Sequence, residues 1–199
     1  MFQNEKIDLR VKYTREWTYI ALEKILELKL YNEITITEII KKAGISRATF
    51  YRNFSSKDDI IEFKVKSFFT TFYNDLIDYY KLMNSSDELE LIGQFFKRIS
   101  NESNLIGTII KANVGYMMVQ NIVQVIETHR DLFYNVLGYE ESTEKYIIEI
   151  VSSSAWTLLS TWYQNGKIET SEELAQIYVL TFKTVSIALF GNKDDLNKR

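Results

Sequence analysis

The sequence predicts an all-α protein. An N-terminal three-helix head built on a helix-turn-helix, residues 1–57, carries a larger helical body, residues 58–199. Three observations lead there. The 199 residues contain no proline and only seven glycines, so little interrupts long helices. Apolar residues recur at three- and four-residue spacing along the chain, and no stretch alternates as a half-buried strand does. The run TITEIIKKAGISRATFYRNFSSKDDI, residues 35–60, packs three helix starts and one sharp stop into a short length.

The first helix is expected from about Thr14 to Leu28, with Trp17, Ala21, Ile25 and Leu28 on one stripe bracing the helix-turn-helix. Thr35 is an N-cap, and Glu38 three residues later completes a capping box. The short second helix presents Ile36, Ile39 and Ile40 on one face. Gly44 then falls where a left-handed residue must end the helix. Ser46 caps a third helix, SRATFYRNF, whose Phe50 and Phe54 point one way while Arg47, Ala48, Thr49, Tyr51 and Arg52 face out. Ser56 and Asp59 form another box, opening an aromatic-rich helix to about residue 83.

Further helical segments are expected at about 87–101, 103–113 and 115–137, the last stopped by Gly138. Another spans about 143–164 and stops at Asn165-Gly166. The final helix starts at a Thr170–Glu173 box and runs to Phe190, with Gly191 beyond.

Charge is distributed unevenly. The whole chain is −3, but residues 1–57 carry 11 Lys and Arg against 7 Asp and Glu, a net of +4, whereas the remainder carries 13 against 20, a net of −7. A basic head on an acidic body turns the head toward phosphates. From Ser46 to Lys57 there are three basic residues and no acidic one.

Other function classes find little support. Zero cysteines exclude disulfides and thiolate metal sites. No run of about eighteen apolar residues could span a membrane, and the N-terminus lacks a signal-peptide core. His129 is the single histidine, and there is no phosphate-cradling glycine loop or nucleophile elbow. An enzyme and a resident cofactor are not expected. A helix with an apolar underside and a basic, aromatic, hydroxyl-bearing outer face fits a DNA major groove. The competing reading is an ordinary small bundle with its basic residues solvated.

The run from Tyr13 to Ile61 resembles the DNA-binding domain of TetR-family transcriptional regulators. The resemblance rests on Thr35, Ala43-Gly44, Ala48-Thr49-Phe50-Tyr51, Phe54 and Lys57, where residue types and spacing agree together. More loosely, WYQNGKIETSEELAQI (162–177) is similar to the junction of the last two helices in many members. Leu30-Tyr31-Asn32 departs from the glycine–aromatic pair common after helix one.

The resemblance implies a cytoplasmic homodimer that binds a palindromic double-stranded operator, most often as a repressor, and responds to a small molecule. On the DNA side, Arg47 is the candidate base reader, because a guanidinium can grip guanine O6 and N7 together. Ser46, Ala48 and Thr49 lie beside it. Tyr51, Arg52, Asn53 and Lys57 are expected to hold phosphates. Tyr13 and Thr37 are phosphate candidates carried over from the family, and Thr37 stands where many members have arginine.

For the dimer, residues of about 143–190 are expected to pair as a four-helix bundle. Ser152-Ser153-Ser154-Ala155 would allow close approach, and Trp156 and Trp162 would add area. For the effector, an apolar or amphipathic molecule is expected in the middle of the body, with Phe95, Phe96, Tyr116, Met117 and Trp156 as lining candidates. An alternative is a co-activator or sensor of the same fold that works through a protein partner or ligand without an operator.

Overall fold

The computed structural model describes residues 9–83, 88–128, 130 and 144–190, which form nine α-helices and one 3-10 turn. In chain order these are α1 (Leu9–Leu26), the turn (Tyr31–Glu33), α2 (Ile36–Ala43), α3 (Arg47–Asn53), α4 (Asp58–Met83), α5 (Glu88–Ser100), α6 (Ser103–Ala112), α7 (Tyr116–Thr128), α8 (Glu144–Gln164) and α9 (Ser171–Phe190). The expected stops at Gly138 and Gly191, and His129, lie outside the described residues.

The head forms where its punctuation says it should. Thr35 Oγ1 accepts from the Glu38 N–H (3.3 Å), and the Glu38 carboxylate accepts from the Thr35 N–H (3.0 Å). Gly44 takes φ +66°. The Gly44 N–H reaches Lys41 O and the Ile45 N–H reaches Ile40 O, which satisfies carbonyls that the end of α2 would otherwise orphan. Ser46 Oγ accepts from the Thr49 N–H (3.0 Å) to start α3. Ser56 Oγ accepts from the Asp59 N–H (3.2 Å), while the Asp59 carboxylate takes the N–H of Ser55 (2.7 Å).

Glu38 carries a pH-dependent part of this local stability. Lys29 donates to its carboxylate, as do the Thr35 N–H and hydroxyl, and together they hold the carboxyl at about 2. The depressed value means the stabilisation is complete above about pH 4.5 and lost as pH falls through about 2. Helical circular dichroism during acid titration should therefore stay flat from pH 8 to 5 and fall below it. Glu38→Gln keeps the reach of the cap but not the charge, and should shrink that fall. Superimposable curves would contradict the assignment.

Helix α1 corrects the expected register. It begins at Leu9, and its inward residues are Thr18, Tyr19, Ala21, Leu22 and Leu26. Trp17 is 58% exposed and Leu28 83% exposed. The physical reason is that α1 packs against α2, α4 and α6 together, so its buried wedge centres on Leu22, and Leu28 lies past the helix end.

The 26-residue helix α4 runs from head into body without a break. Ile60, Ile61, Val65, Phe68, Phe69 and Phe72 are buried along it in one continuous apolar core that extends from Tyr19 to Tyr178. Lys64 on α4 pairs with Glu16 on α1 at 3.2 Å. Helix α6 also touches α1: Thr108 and Tyr19 hydroxyls lie 3.5 Å apart, and the Lys111 ammonium caps Leu26 O at 3.2 Å. On its other side α6 meets α8. A Cβ on Gly107 would stand 2.2 Å from Tyr163 Oη, and one on Gly115 would stand 2.3 Å from Trp156 Nε1.

The α8–α9 junction agrees with its sequence signals. Asn165-Gly166 ends α8, Gly166 adopting φ +89°. The Trp162 indole N–H donates to Glu169 O (3.0 Å), and the Thr170–Glu173 box opens α9. The small-residue patch, however, is divided between core and surface, with Ser153 exposed and Ser154 half-buried. Ser152, Ala155 and Trp162 are buried in the chain's own core, while Trp156 lies half-buried on Gly115. The outward apolar residues are instead Tyr146 and Ile150 on α8 and Ile177 and Leu180 on α9.

Candidate nucleic-acid interface

The local chemistry of α3 sorts its side chains to opposite sides. Phe50 is fully buried and Phe54 nearly so, their ring centroids 5.8 Å apart. Ile39 of α2 is also fully buried. With this underside fixed, Ser46, Arg47, Ala48, Tyr51 and Arg52 are exposed, and Thr49 is half-buried. Thr37 and Tyr13 are exposed as well, at the starts of α2 and α1.

Within the exposed set, neighbours order one another. The Arg47 guanidinium lies 5.7 Å from the Tyr51 ring centroid, one helical turn away. Ser46 Oγ and Thr49 Oγ1 share a hydrogen bond of 2.8 Å. Tyr13 stacks on Trp17, centroids 6.2 Å apart. The outer face of α3 thus offers a cation, a phenol and two hydroxyls over a rigid apolar base.

Two of the expected phosphate holders are engaged inside the head. Lys57 donates to Tyr31 O and to Ile34 O (3.1 Å), and its ammonium lies 4.3 Å from the Tyr31 ring centroid. The end of a 3-10 turn exposes carbonyls, and this lysine caps them, leaving one of its three N–H donors for anything else. The Tyr31 hydroxyl donates to Asp58, so the same turn is tied to the start of α4. Burial and the neighbouring Asp58 carboxylate push the Tyr31 phenol far above its ordinary value. Asn53 is likewise occupied: its amide N–H donates to Thr49 O (2.8 Å), and Oδ1 accepts from Arg15 Nε (3.3 Å).

Arg15 is the residue that sequence reading missed. Its guanidinium stands 5.9 Å from the Phe54 ring centroid and 5.5 Å from that of Phe63. The signal was present: Arg10, Lys12 and Arg15 precede the first acid of α1, Glu16.

The effector candidates fall into two groups. Phe95 and Phe96 (centroids 5.3 Å apart) join Phe69, Phe72 and Tyr178 in an aromatic cluster between α4, α5 and α9. Met117 is buried near the start of α7, where Trp156 covers Gly115, but Tyr116 is 53% exposed.

Comparison with known proteins agrees with this geometry. Residues 22–62 match the family model for bacterial regulatory proteins of the tetR family. The chain is 31% identical over 90 residues to an HTH-type transcriptional regulator of Bacillus subtilis, YxbF, spanning 45% of this chain and 23% of that protein. It is 28% identical over 64 residues to the dhaKLM operon transcriptional activator DhaS of Lactococcus lactis, spanning 32% of this chain and 34% of that one. The chain thus aligns with only about a quarter to a third of these relatives' lengths.

Solved structures extend the likeness to the whole fold. Lin0861 from Listeria innocua superposes with a TM-score of 0.75 at 18% identity, covering 92% of this chain and 96% of that one. A TetR transcriptional regulator from Streptococcus agalactiae gives 0.61 at 19% identity, covering 87% and 96%. Thermus thermophilus FadR, a TetR-family repressor solved with lauroyl-CoA, gives 0.50 at 14% identity, covering 89% and 94%. The head, residues 22–62, thus carries the match to the tetR-family model, and the chain shares its fold with solved TetR-family regulators.

Proposed function

We propose that the chain binds a palindromic double-stranded operator as a homodimer, represses from it, and releases it when a small apolar or amphipathic effector enters the body. The observation that carries this reading is the outer face of α3. Arg47, Ala48, Tyr51 and Arg52 are all exposed on a helix whose opposite side is fully buried. In this reading Arg47 reads a base edge, with Ala48 and Thr49 against neighbouring bases and Ser46 beside them. Tyr51, Arg52, Thr37 and Tyr13 hold phosphates. Lys57 and Asn53 act mainly by bracing the head.

The body, residues 58–199, supplies the dimer. Tyr146, Ile150, Ser153 and Thr157 form an exposed stripe on α8, and Ile177 and Leu180 are exposed on α9. A partner burying roughly 1,600 Å² would cover these side chains. The aromatic cluster around Phe95 and Phe96 suits an apolar effector, and FadR's complex with lauroyl-CoA supports an acyl-like class. Effector and operator can be coupled only through differential affinity for two head arrangements, typically about 1–3 kcal/mol.

A second reading, activation, is favoured by the 28% identity to DhaS over 64 residues. Three measurements together separate the readings. An electrophoretic shift on the DNA upstream of the chain's own gene should show a dimer bound, and light scattering should give about twice 23.5 kDa. Reporter transcription from that promoter should rise when the gene is deleted. A fall on deletion supports activation, and no shift on any duplex removes operator binding.

A further inference from the structure

We infer that Arg15, on α1, is a DNA-phosphate contact of the head, with its guanidinium plane set by Asn53 at the end of the recognition helix. The inference rests on the operator-binding reading above. Arg15 is half-buried, and one of its five N–H donors is spent on Asn53 Oδ1 (3.3 Å). No carboxylate lies within ion-pair distance among the described residues: Glu16 pairs with Lys64 at 3.2 Å and Glu62 with Lys66 at 2.5 Å. The guanidinium rests against both the Phe54 and Phe63 rings, whose centroids are 6.2 Å apart. A cation that has lost part of its hydration without gaining an anion is poised for one from outside.

Position decides the kind of anion. In a helix-turn-helix the first residues of the recognition helix reach base edges, so its last residue, Asn53, leads toward the strand backbone. The first turns of α1 add Arg10 and Lys12 before any acid and present the positive end of the helix. A planar fork suits a phosphate, and Asn53 keeps that fork in one orientation. Asn53 therefore acts through Arg15 as a positioning residue. The role that the sequence assigned to Lys57 passes to a residue whose donors remain open.

The test is a salt titration of wild type, Arg15→Met and Arg15→Gln on the upstream operator duplex and on a scrambled duplex of equal length. Methionine keeps apolar packing on Phe54 and Phe63, and glutamine keeps a donor for Asn53, so at least one charge-deleted variant retains the wild-type circular dichroism. The expected result is a loss of about threefold to tenfold on both duplexes alike. The slope of log K against log salt should drop by about one unit per subunit. Asn53→Ala should weaken both duplexes while leaving the slope unchanged, because the charge stays.

A folded variant with wild-type affinity and slope overturns the inference. Loss confined to the operator also overturns it, since Arg15 would then read bases. If wild type shifts neither duplex, the operator-binding reading has failed and this inference falls with it. That outcome differs from an unchanged variant beside a binding wild type.

Discussion

Phe50→Ala should lower stability by about 3–5 kcal/mol, the range for emptying a fully buried aromatic site. Phe50 is 0% exposed and meets Tyr51 and Phe54 at ring-centroid distances of 5.3 and 5.8 Å. Its ring forms the underside of α3, against which the outer face is oriented. In a chain of this length a loss of that size should depress Tm by about 10 °C. Operator binding should disappear at temperatures where wild type still binds. Tyr51→Ala is the contrasting variant. Tyr51 is 48% exposed, so its removal should cost about 1 kcal/mol of stability while weakening DNA binding. Differential scanning calorimetry reads both, and a Phe50→Ala variant within 1 kcal/mol of wild type would mean that α3 is held by something else.

The head was legible because its signals are local. A threonine–glutamate box, a left-handed glycine and a serine cap each act within four or five residues, and all three formed as written. The Thr170–Glu173 box and the stop at Gly166 were legible for the same reason. The α1 register was not, because a helix contacting three neighbours buries a wide wedge, and periodicity alone does not centre it. Trp17 was expected inward by its spacing with Ala21 and Ile25, yet it is exposed.

The interface was legible in part. Helical spacing alone sent Phe50 and Phe54 inward and Arg47 and Arg52 outward. The fates of Lys57 and Asn53 were hidden because their partners are distant in sequence. Lys57 bonds carbonyls 23 and 26 residues away, and Asn53 meets Arg15 across 38. No pattern in the chain announces such pairings. The patch at residues 152–155 was legible only in part for a related reason: small residues mark close approach without saying to what. Ser152 and Ala155 face the chain's own core while Ser153 is exposed, and the close approaches that sequence missed are Gly107 of α6 against Tyr163 and Gly115, just before α7, against Trp156.

In the proposed function the outer face of α3 reads an operator. Arg47 opens that helix, is exposed, and is ordered by the Tyr51 ring. A guanidinium there can take two acceptors of one guanine at once, a contact worth about 1–3 kcal/mol of discrimination. It differs in kind from Arg15 at the other end of α3, whose effect should be indifferent to sequence. The most direct measurement is therefore the affinity of Arg47→Ala for the operator and for a scrambled duplex at one salt concentration. Operator affinity should fall by about 1–3 kcal/mol, with specificity relaxed at one base pair per half-site and scrambled binding nearly unchanged. An equal fall on both duplexes, or no change on either in a folded variant, would contradict it.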